Sequence, residues 1–306
     1  MSLSEDLRHE LAAIEPRNSC DRLAELSGLF HSAGSVHFKG RGQLSVHLDV
    51  VDPAVARRAF SLLRTYGVAS EIRTYRRRAF EGGTRYQLHV AGDERALQVL
   101  NEAGVLSTRL NPLDHPPRRV VSRSCCRAAY VRGALLGGGS LSGPRSPHLE
   151  IRSAGPEGSE FLASLAQEEG VELRVLDRGR HAVAYAKGLE TIADLLALAG
   201  ASQTVLLFEE RAVVAATRAR ANRLANADHA NLVRTSRAAH EQLRAVERLR
   251  RSGELQKLPP RLQEIAELRV LHPTLPLREL ALKCRPPATK AAAYRRLRKL
   301  QELAAM

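Results

Sequence analysis

The stretch AYVRGALLGGGSLSG, residues 129–143, decides the fold because it repeats an earlier part of the chain. Its counterpart is AELSGLFHSAGSVHF, residues 24–38, at an offset of 105 residues that aligns Gly28 with Gly133. Each stretch begins as an amphipathic helix and ends in small residues that permit a sharp turn into a strand. The chain is therefore predicted to contain a duplicated unit.

The repeat continues downstream of both helices. In each copy an alternating strand, a proline-initiated helix, a strand pair and a closing helix follow. The first copy contains GQLSVHLDV, DPAVARRAFSLLRTYGV, SEIRTYR with RYQLHVAG, and DERALQVLNEAGV; the second contains SPHLEIRSA, GPEGSEFLASLAQEEGV, ELRVLDR with HAVAYAKG, and LETIADLLALAGA. Both copies are predicted as αββαββα, which gives two lobes related by a pseudo-two-fold axis.

The predicted fold class is α+β, with this two-lobed domain followed by an all-helical domain. We expect a first lobe with an N-terminal helix at 1–118 and a second lobe at 119–212, joined by a Pro- and Arg-rich linker at 111–124. In the N-terminal helix, Ser4 is the expected N-cap, with Leu7, Leu11 and Ile14 on one face.

Three glycines, Gly28, Gly133 and Gly137, are expected to pack at the lobe interface. Without a Cβ atom they allow the two repeated helices to approach closely at the pseudo-two-fold axis. Their predicted role is packing.

The repeated helices resemble the motif of the LAGLIDADG homing endonucleases, at LSGLFHSAG (26–34) and VRGALLGGG (131–139). The resemblance implies two αββαββα lobes whose motif helices form the interface. In that family the penultimate motif position is an Asp or Glu that binds a divalent cation, a hard ion that prefers oxygen ligands. Here these positions are Ala33 and Gly138, so we expect no metal, no cofactor and no nuclease activity.

Other residues do not supply a replacement site. Asp49 and Glu150 lie on the following predicted strands and do not obviously substitute for the missing acids. The four cysteines, Cys20, Cys125, Cys126 and Cys284, show no CxxC spacing. We therefore expect neither a zinc site nor a disulfide framework, but buried reduced thiols.

The charge is concentrated in the last third of the chain. Residues 217–306 contain 20 Lys and Arg against 8 Asp and Glu, whereas residues 1–216 contain 27 against 25. This asymmetry predicts a polyanionic partner, double-stranded DNA, for the C-terminal part. Near-neutral lobes make strong independent DNA binding by them doubtful, since phosphate neutralisation supplies most of such affinity. The sequence shows no signal peptide and no membrane span, so a cytoplasmic, nucleoid-associated protein is expected.

The segment 213–306 is predicted to be all-helical, with a helix-turn-helix at about 275–302. Prolines and Gly253 separate three consecutive helices, PPRLQEIAELRVLHP, PLRELALK and TKAAAYRRLRKLQEL. On a helical wheel Ala293, Leu297 and Leu300 share one side of the last helix. The DNA-binding residues predicted on this helix are Thr289, also its N-cap, Lys290, Tyr294, Arg295, Arg298 and Lys299.

A second polar cluster comprises Asn222, Arg223, Asn226 and Asn231. Asparagine often caps helices or bonds to the local backbone, and its amide can also bond adenine bidentately. Both interpretations stay open, and these four residues are also candidates for DNA contact.

The whole chain resembles the WhiA family of bacterial sporulation and cell-division regulators, at MSLSEDLRHELA, NRLANADHAN, KLPPRLQEIAELRVLHP and LRKL. This resemblance implies a DNA-binding transcription regulator of sporulation, cell division and chromosome segregation, without nuclease activity. The resemblance is also compatible with binding to a partner transcription regulator. The alternatives are an active metal-dependent LAGLIDADG endonuclease, or a protein-docking scaffold with secondary DNA binding.

The last helix departs from the family pattern. Where the family usually has Ser-Lys-Ser-Gly-Val-Asn-His-Arg, this chain has TKAAAYRR, residues 289–296. Lys290 and Arg296 keep their type, whereas an additional Arg and a Tyr replace polar residues. We expect phosphate affinity to be retained and the preferred DNA site to differ.

Overall fold

The computed structural model describes residues 2–38, 44–76 and 83–306. Its contacts divide the chain into two compact units, Met1–Ala216 and Thr217–Met306. The fold class predicted from the repeat is confirmed: two αββαββα lobes with antiparallel sheets precede a helical C-terminal region.

The first unit begins with α1 (Leu3–Ala13), which precedes the two lobes. The first lobe consists of α2 (Ser19–Ala33), β1 (Gly34–Phe38), β2 (Leu44–Val50), α3 (Pro53–Thr65), β3 (Ser70–Arg76), β4 (Thr84–Ala91) and α4 (Glu94–Glu102). The second lobe consists of α5 (Ser124–Gly138), β5 (Gly139–Leu141), β6 (Leu149–Ser153), α6 (Pro156–Glu168), β7 (Arg174–Asp177), β8 (Ala182–Ala186) and α7 (Leu189–Ala199).

The two sheets have the same topology. The strand orders are β1-β2-β4-β3 and β5-β6-β8-β7, and every pairing is antiparallel. In β2, Leu44, Val46, Leu48 and Val50 alternate with more polar residues and are buried in the core. This two-residue period gives each sheet one face against helices and one polar face.

Side-chain caps explain where several helices begin. The carboxylate of Asp52 accepts a hydrogen bond from the amide of Ala54 at 2.8 Å, and Pro53 occupies the first turn of α3. Asp93 caps α4 in the same way.

The N-cap expected for α1 was wrong. Ser2, not Ser4, occupies that position, in a reciprocal capping box with Glu5. The hydroxyl of Ser4 instead donates to the carbonyl of Leu141 at 2.9 Å, which ties α1 to β5. Leu7 and Leu11 are buried as expected, and Ile14 packs against the core at the end of the helix.

The segment 111–124 also has structure of its own. Arg118–Val121 form a short 3-10 helix, and Val120 and Val121 are buried. The predicted linker therefore contributes to the core between the last helix of the first lobe and α5.

Helices α2 and α5 pack directly against each other at the centre of the first unit. A methyl carbon at Gly28 would lie 2.2 Å from the carbonyl oxygen of Tyr130, and one at Gly133 would lie 2.1 Å from that of Glu25. A methyl carbon at Gly137 would lie 2.9 Å from the carbonyl oxygen of Leu29. The three glycines thus stand where the two backbones approach most closely.

The long helix α8 (Ser202–Arg251) begins in the first unit and continues into the second. The second unit also contains a short 3-10 helix (Leu255–Lys257), α9 (Pro260–Leu271), α10 (Leu277–Leu282) and α11 (Lys290–Leu303). Its core is formed by Val246, Leu249, Ile265, Ala266, Leu280, Ala281, Cys284, Ala293, Leu297 and Leu300. The C-terminal end of α8 is therefore part of the helix-turn-helix core. Residues 218–237 of α8, in contrast, are exposed on every side.

Two further expectations concern exposure and membranes. Cys126 and Cys284 are buried free thiols, whereas the expectation of burial was wrong for Cys125, which is exposed, and for Cys20, which is half-buried. Across the described residues, no helix combines the length and the apolar character required to cross a bilayer.

Candidate nucleic-acid interface

Helix α11 has one face in the core and one in solvent. Ala293, Leu297 and Leu300 are buried against α9 and α10. We call the opposite face, with Lys290, Tyr294, Arg295, Arg298 and Lys299, the basic face of α11; all five side chains are exposed. The period of 3.6 residues separates the two faces, because buried residues recur every three or four positions.

The start of α11 is fixed by Thr289. Its hydroxyl oxygen accepts a hydrogen bond from the amide of Ala292 at 3.2 Å. This cap satisfies one of the backbone amides that the first turn of a helix leaves without a partner within the helix. Thr289 itself is exposed at the end of the helix where Lys290 begins the basic face.

The cations of the basic face differ in their internal partners. Arg298 lies 3.3 Å and Lys299 lies 3.8 Å from the carboxylate of Glu302, so the two share one exposed acid. Within the described ranges, no carboxylate lies within ion-pair distance of Lys290 or Arg295. These two are the cations most available to an external phosphate.

Arg296 has a different environment from its neighbours. It is half-buried and lies 3.9 Å from Glu264 of α9, whose other carboxylate oxygen accepts the backbone amide of Arg285 at 2.5 Å. Glu264 therefore connects α9 both to the turn before α11 and to α11 itself. Arg296 serves this internal contact rather than the basic face.

Arg269 supports the helix-turn-helix from inside, and sequence analysis missed it. Its side chain is 1% exposed and donates to the carbonyl oxygens of Leu275 at 2.8 Å and His272 at 3.4 Å. These bonds hold the turn between α9 and α10. Burial lowers the pKa of this guanidinium, which nevertheless stays charged at neutral pH. The only sequence signal was an Arg on the apolar side of α9.

The asparagine cluster lies on an exposed part of α8. Asn222, Arg223, Asn226 and Asn231 are all exposed, in the interior of the helix and far from either end. The helix-capping interpretation is therefore wrong. The side-chain oxygen of Asn231 accepts from Arg234 at 2.6 Å, while Asn222 and Asn226 lie one turn apart on the same face.

The ends of α2 and α5 that would hold a nuclease metal lack carboxylates. Ala33 and Gly138 stand at these ends, and a methyl carbon at Gly138 would lie 2.7 Å from the carbonyl oxygen of Arg152. In the portion of the chain that the structure describes, no group of three potential ligands gathers there.

The acids on the following strands are engaged elsewhere. Asp49 lies 3.2 Å from Arg85 and accepts a short hydrogen bond from Tyr75. Glu150 lies 2.9 Å from Arg178 and 3.3 Å from His148. Each carboxylate is paired within its own lobe.

A buried ion pair joins the lobes near the glycine contacts. Glu25 of α2 is fully buried and accepts from Arg58 of α3 at 2.7 Å and from Arg132 of α5 at 2.9 Å. Arg132 also donates to the carbonyl of Ala199 at 3.3 Å. Sequence analysis did not single out these residues, because their contacts span 107 positions.

Three family models match the chain in succession. They are the WhiA N-terminal LAGLIDADG-like domain at residues 19–106, the WhiA LAGLIDADG-like domain at 127–218, and the WhiA C-terminal HTH domain at 221–304. A probable cell division protein WhiA of Heliobacterium modesticaldum is 34% identical over 99% of this chain and 96% of that protein. The chain belongs to the WhiA family.

Further relatives and solved structures agree with this assignment. A probable cell division protein WhiA of Symbiobacterium thermophilum is 33% identical over 99% of this chain and 98% of its own length. The crystal structure of full-length WhiA from Thermatoga maritima has a TM-score of 0.57 at 22% identity, covering 100% of this chain and 98% of that one. At this identity the likeness to the solved WhiA structure concerns the fold.

Proposed function

We propose that this WhiA-family chain is a sequence-specific DNA-binding transcription regulator that acts in cell division, sporulation and chromosome segregation and cuts no DNA. The observation that carries the proposal is the basic face of α11, held outward by a buried apolar stripe in a helix-turn-helix. The names of the relatives, probable cell division proteins, support the cellular role.

The basic face suits the major groove of DNA, which admits one α-helix. Lys290, Tyr294 and Arg298 follow at intervals of four residues and so form one row, with Arg295 and Lys299 beside it. We infer that the row and Arg295 face the groove and contact base edges, while Lys299, together with Arg223 of α8, contacts phosphate. Thr289 at the N-cap, with Asn222, Asn226 and Asn231 of α8, provides further polar contacts to the duplex.

The decisive experiment removes two cations from the row. With the full-length protein, Lys290→Ala combined with Arg298→Ala is expected to weaken binding to genomic duplex fragments by about 1–3 kcal/mol for each side chain that reads a base. Fluorescence anisotropy at fixed salt measures the affinity. Unchanged affinity would exclude this face.

A matched control removes the same charge elsewhere. Arg57 and Arg64 are exposed on α3 in the first unit, and Arg57→Ala with Arg64→Ala should leave the affinity close to that of the parent protein. If this control weakens binding as much as the α11 variant does, binding depends on overall charge and not on the proposed face.

The absence of nuclease activity has a structural argument of its own. Ala33 and Gly138 offer no oxygen ligand, and the paired Asp49 and Glu150 do not replace them. Supercoiled plasmid incubated with the protein and Mg²⁺ or Mn²⁺ is expected to stay intact on a gel. Metal-dependent nicking would instead favour the endonuclease alternative.

The regulatory role is tested in cells. Immunoprecipitation of bound DNA across the genome should recover a limited set of sites near promoters, with genes of division, sporulation and segregation among them. Uniform recovery of the genome would contradict sequence-specific regulation.

A further inference from the structure

The structure brings together three cysteines and one aspartate whose spacing in the sequence gave no sign of a site. Cys20 and Asp21 lie in the first turn of α2, and Cys125 and Cys126 lie in the first turn of α5. Their sulfur and carboxylate oxygen atoms all lie within 4.8 Å of one another. We call this group the cysteine–aspartate cluster.

We propose that the cysteine–aspartate cluster binds a single thiophilic divalent cation, of which Zn²⁺ is the best match, at the N-terminal ends of α2 and α5. Three sulfurs and one carboxylate oxygen supply four ligands, the number that zinc takes in structural sites, and both ligand types bind Zn²⁺. The proposal is independent of the DNA-binding function.

Two of the six distances between ligand atoms match the edges of a tetrahedron around one ion, and the other four are no longer than 4.8 Å. Zn–S bonds of about 2.3 Å place two sulfurs about 3.8 Å apart, and a Zn–O bond of about 2.0–2.1 Å places sulfur and oxygen about 3.6 Å apart. The Sγ atoms of Cys125 and Cys126 are 3.9 Å apart, and Sγ of Cys20 is 3.5 Å from Oδ1 of Asp21. Little rearrangement is needed to hold one ion.

The four ligands obey the internal symmetry of the fold. The offset of 105 residues that aligns Gly28 with Gly133 also aligns Cys20 with Cys125 and Asp21 with Cys126. Each lobe therefore contributes two adjacent residues from the same helical turn. At the other ends of the same helices, Ala33 and Gly138 stand in place of the ligands that the nuclease motif would supply.

A neighbouring residue orients the carboxylate. The side-chain amide of Asn18 donates to Oδ2 of Asp21 at 2.9 Å, and Oδ1 is the oxygen that approaches Cys20. Metal ligands commonly have such a hydrogen-bonded partner, which fixes their orientation and raises metal affinity. Asn18 is therefore a positioning residue for the cluster.

The surroundings balance the negative charge of the ligands. Three thiolates and a carboxylate carry four negative charges, and a divalent cation offsets two of them. The cleft that contains Cys20 and Cys126 is also lined by four arginines, Arg17, Arg22, Arg119 and Arg123. The N-termini of α2 and α5 add positive potential at the same place.

A cation that binds sulfur displaces the thiol protons as it binds. Since Cys125 is exposed while Cys126 and Asp21 are buried, the cluster opens to solvent on one side, where an ion can enter.

The test uses full-length protein, reduced and freed of metal by a chelator, with Co²⁺ as a spectroscopic probe for Zn²⁺. We expect one Co²⁺ per chain, tetrahedral d–d bands and a thiolate-to-cobalt charge-transfer band, all displaced by an equivalent of Zn²⁺. Binding that fails to saturate at one ion, or a spectrum without the charge-transfer band, would overturn the proposal.

Three variants assign the ion to this cluster. Cys125→Ser changes an exposed side chain, so the fold should persist, and it should weaken the charge-transfer band and the Zn²⁺ affinity by more than about tenfold, as for removal of a metal-supporting group. Asn18→Ala should lower the affinity by about 10- to 100-fold with the same spectrum. The control Cys284→Ala removes the thiol outside the cluster and should change neither. Unchanged affinity in Cys125→Ser would contradict the assignment.

Discussion

The half-buried His31 is one residue that makes the stability of the first unit depend on pH. Burial lowers the pKa of His31 to about 4, from an ordinary value of 6.5, so the folded protein holds its imidazole neutral where the unfolded chain binds a proton. Because the folded pKa is the lower one, the stabilisation is fully present above pH 6.5 and is lost as the pH falls towards 4.

We expect the pH dependence of the free energy of unfolding to differ between the parent protein and the His31→Gln variant. The free energy of unfolding should fall by up to about 1.4 kcal/mol per pH unit more in the parent protein than in His31→Gln across this window. Denaturant unfolding at a series of pH values measures the slope. Equal slopes in the two proteins would show that His31 is not the group responsible.

The buried carboxylate at the lobe interface provides a second prediction at the scale of one residue. Glu25→Gln leaves the guanidinium groups of Arg58 and Arg132 buried without a counter-charge. We expect a loss of about 3–5 kcal/mol in the stability of the first unit. Thermal unfolding followed by circular dichroism tests this, with the exposed Glu157→Gln as the control that should unfold like the parent.

At the scale of elements, the contact between α2 and α5 depends on Gly28, Gly133 and Gly137, where an added methyl group would meet backbone atoms of the facing helix. A methyl group at Gly28 would meet backbone atoms of α5 and not a flexible side chain, so the helices must separate. Gly28→Ala should cost about 1–3 kcal/mol or more. Gly143→Ala, where a methyl group meets open space, is the matched control, and equal melting temperatures for the two variants would contradict the packing role.

The sequence predicts a helix or strand well where the residues that determine it lie close together in the chain. Alternation, proline-initiated helices and terminal glycines act over a few residues, so the strands and helices of both lobes and the division of α11 into two faces could be predicted. The N-cap of α1 could not be placed correctly, because Ser2 and Ser4 both precede the same helix and the capping box of Ser2 decides between them.

Sites that combine distant segments could not be predicted in the same way. Glu25 meets Arg132, and Cys20 meets Cys125, only after the two repeated helices pack side by side in the same direction. No short-range spacing rule joins residues about a hundred positions apart, and the repeat aligns them without showing that their side chains meet. The exposure of the asparagine cluster likewise follows from the unbroken length of α8, which no short motif reveals.

At the scale of the whole molecule, the first unit contains the two lobes and the second unit carries most of the net positive charge. Residues 1–216 are nearly neutral, while residues 217–306 carry the excess of arginine and lysine. A chain that ends at Ala216 should therefore lose nearly all affinity for DNA while it keeps the melting transition of the first unit. Retained affinity in this fragment would move the DNA contact to the lobes.

The salt dependence of DNA binding by the full-length protein reports how many phosphates the protein contacts. If Lys299 and Arg223 each neutralise one phosphate, these two residues should contribute about −2 to the slope of log affinity against log salt. The Lys299→Ala and Arg223→Ala double variant should reduce the magnitude of the slope by about 2, whereas Lys290→Ala with Arg298→Ala should mainly lower the affinity. A slope near zero would argue against phosphate contacts altogether.

Residues 218–237 of α8 are exposed on every side of the helix. Because these residues are exposed, only the hydrogen bonds of the helix itself protect the amide hydrogens of this stretch from exchange. In heavy water they should take up deuterium well before those of the buried stripe of α11. A segment that opens this readily can bend at small cost, without disturbing either hydrophobic core.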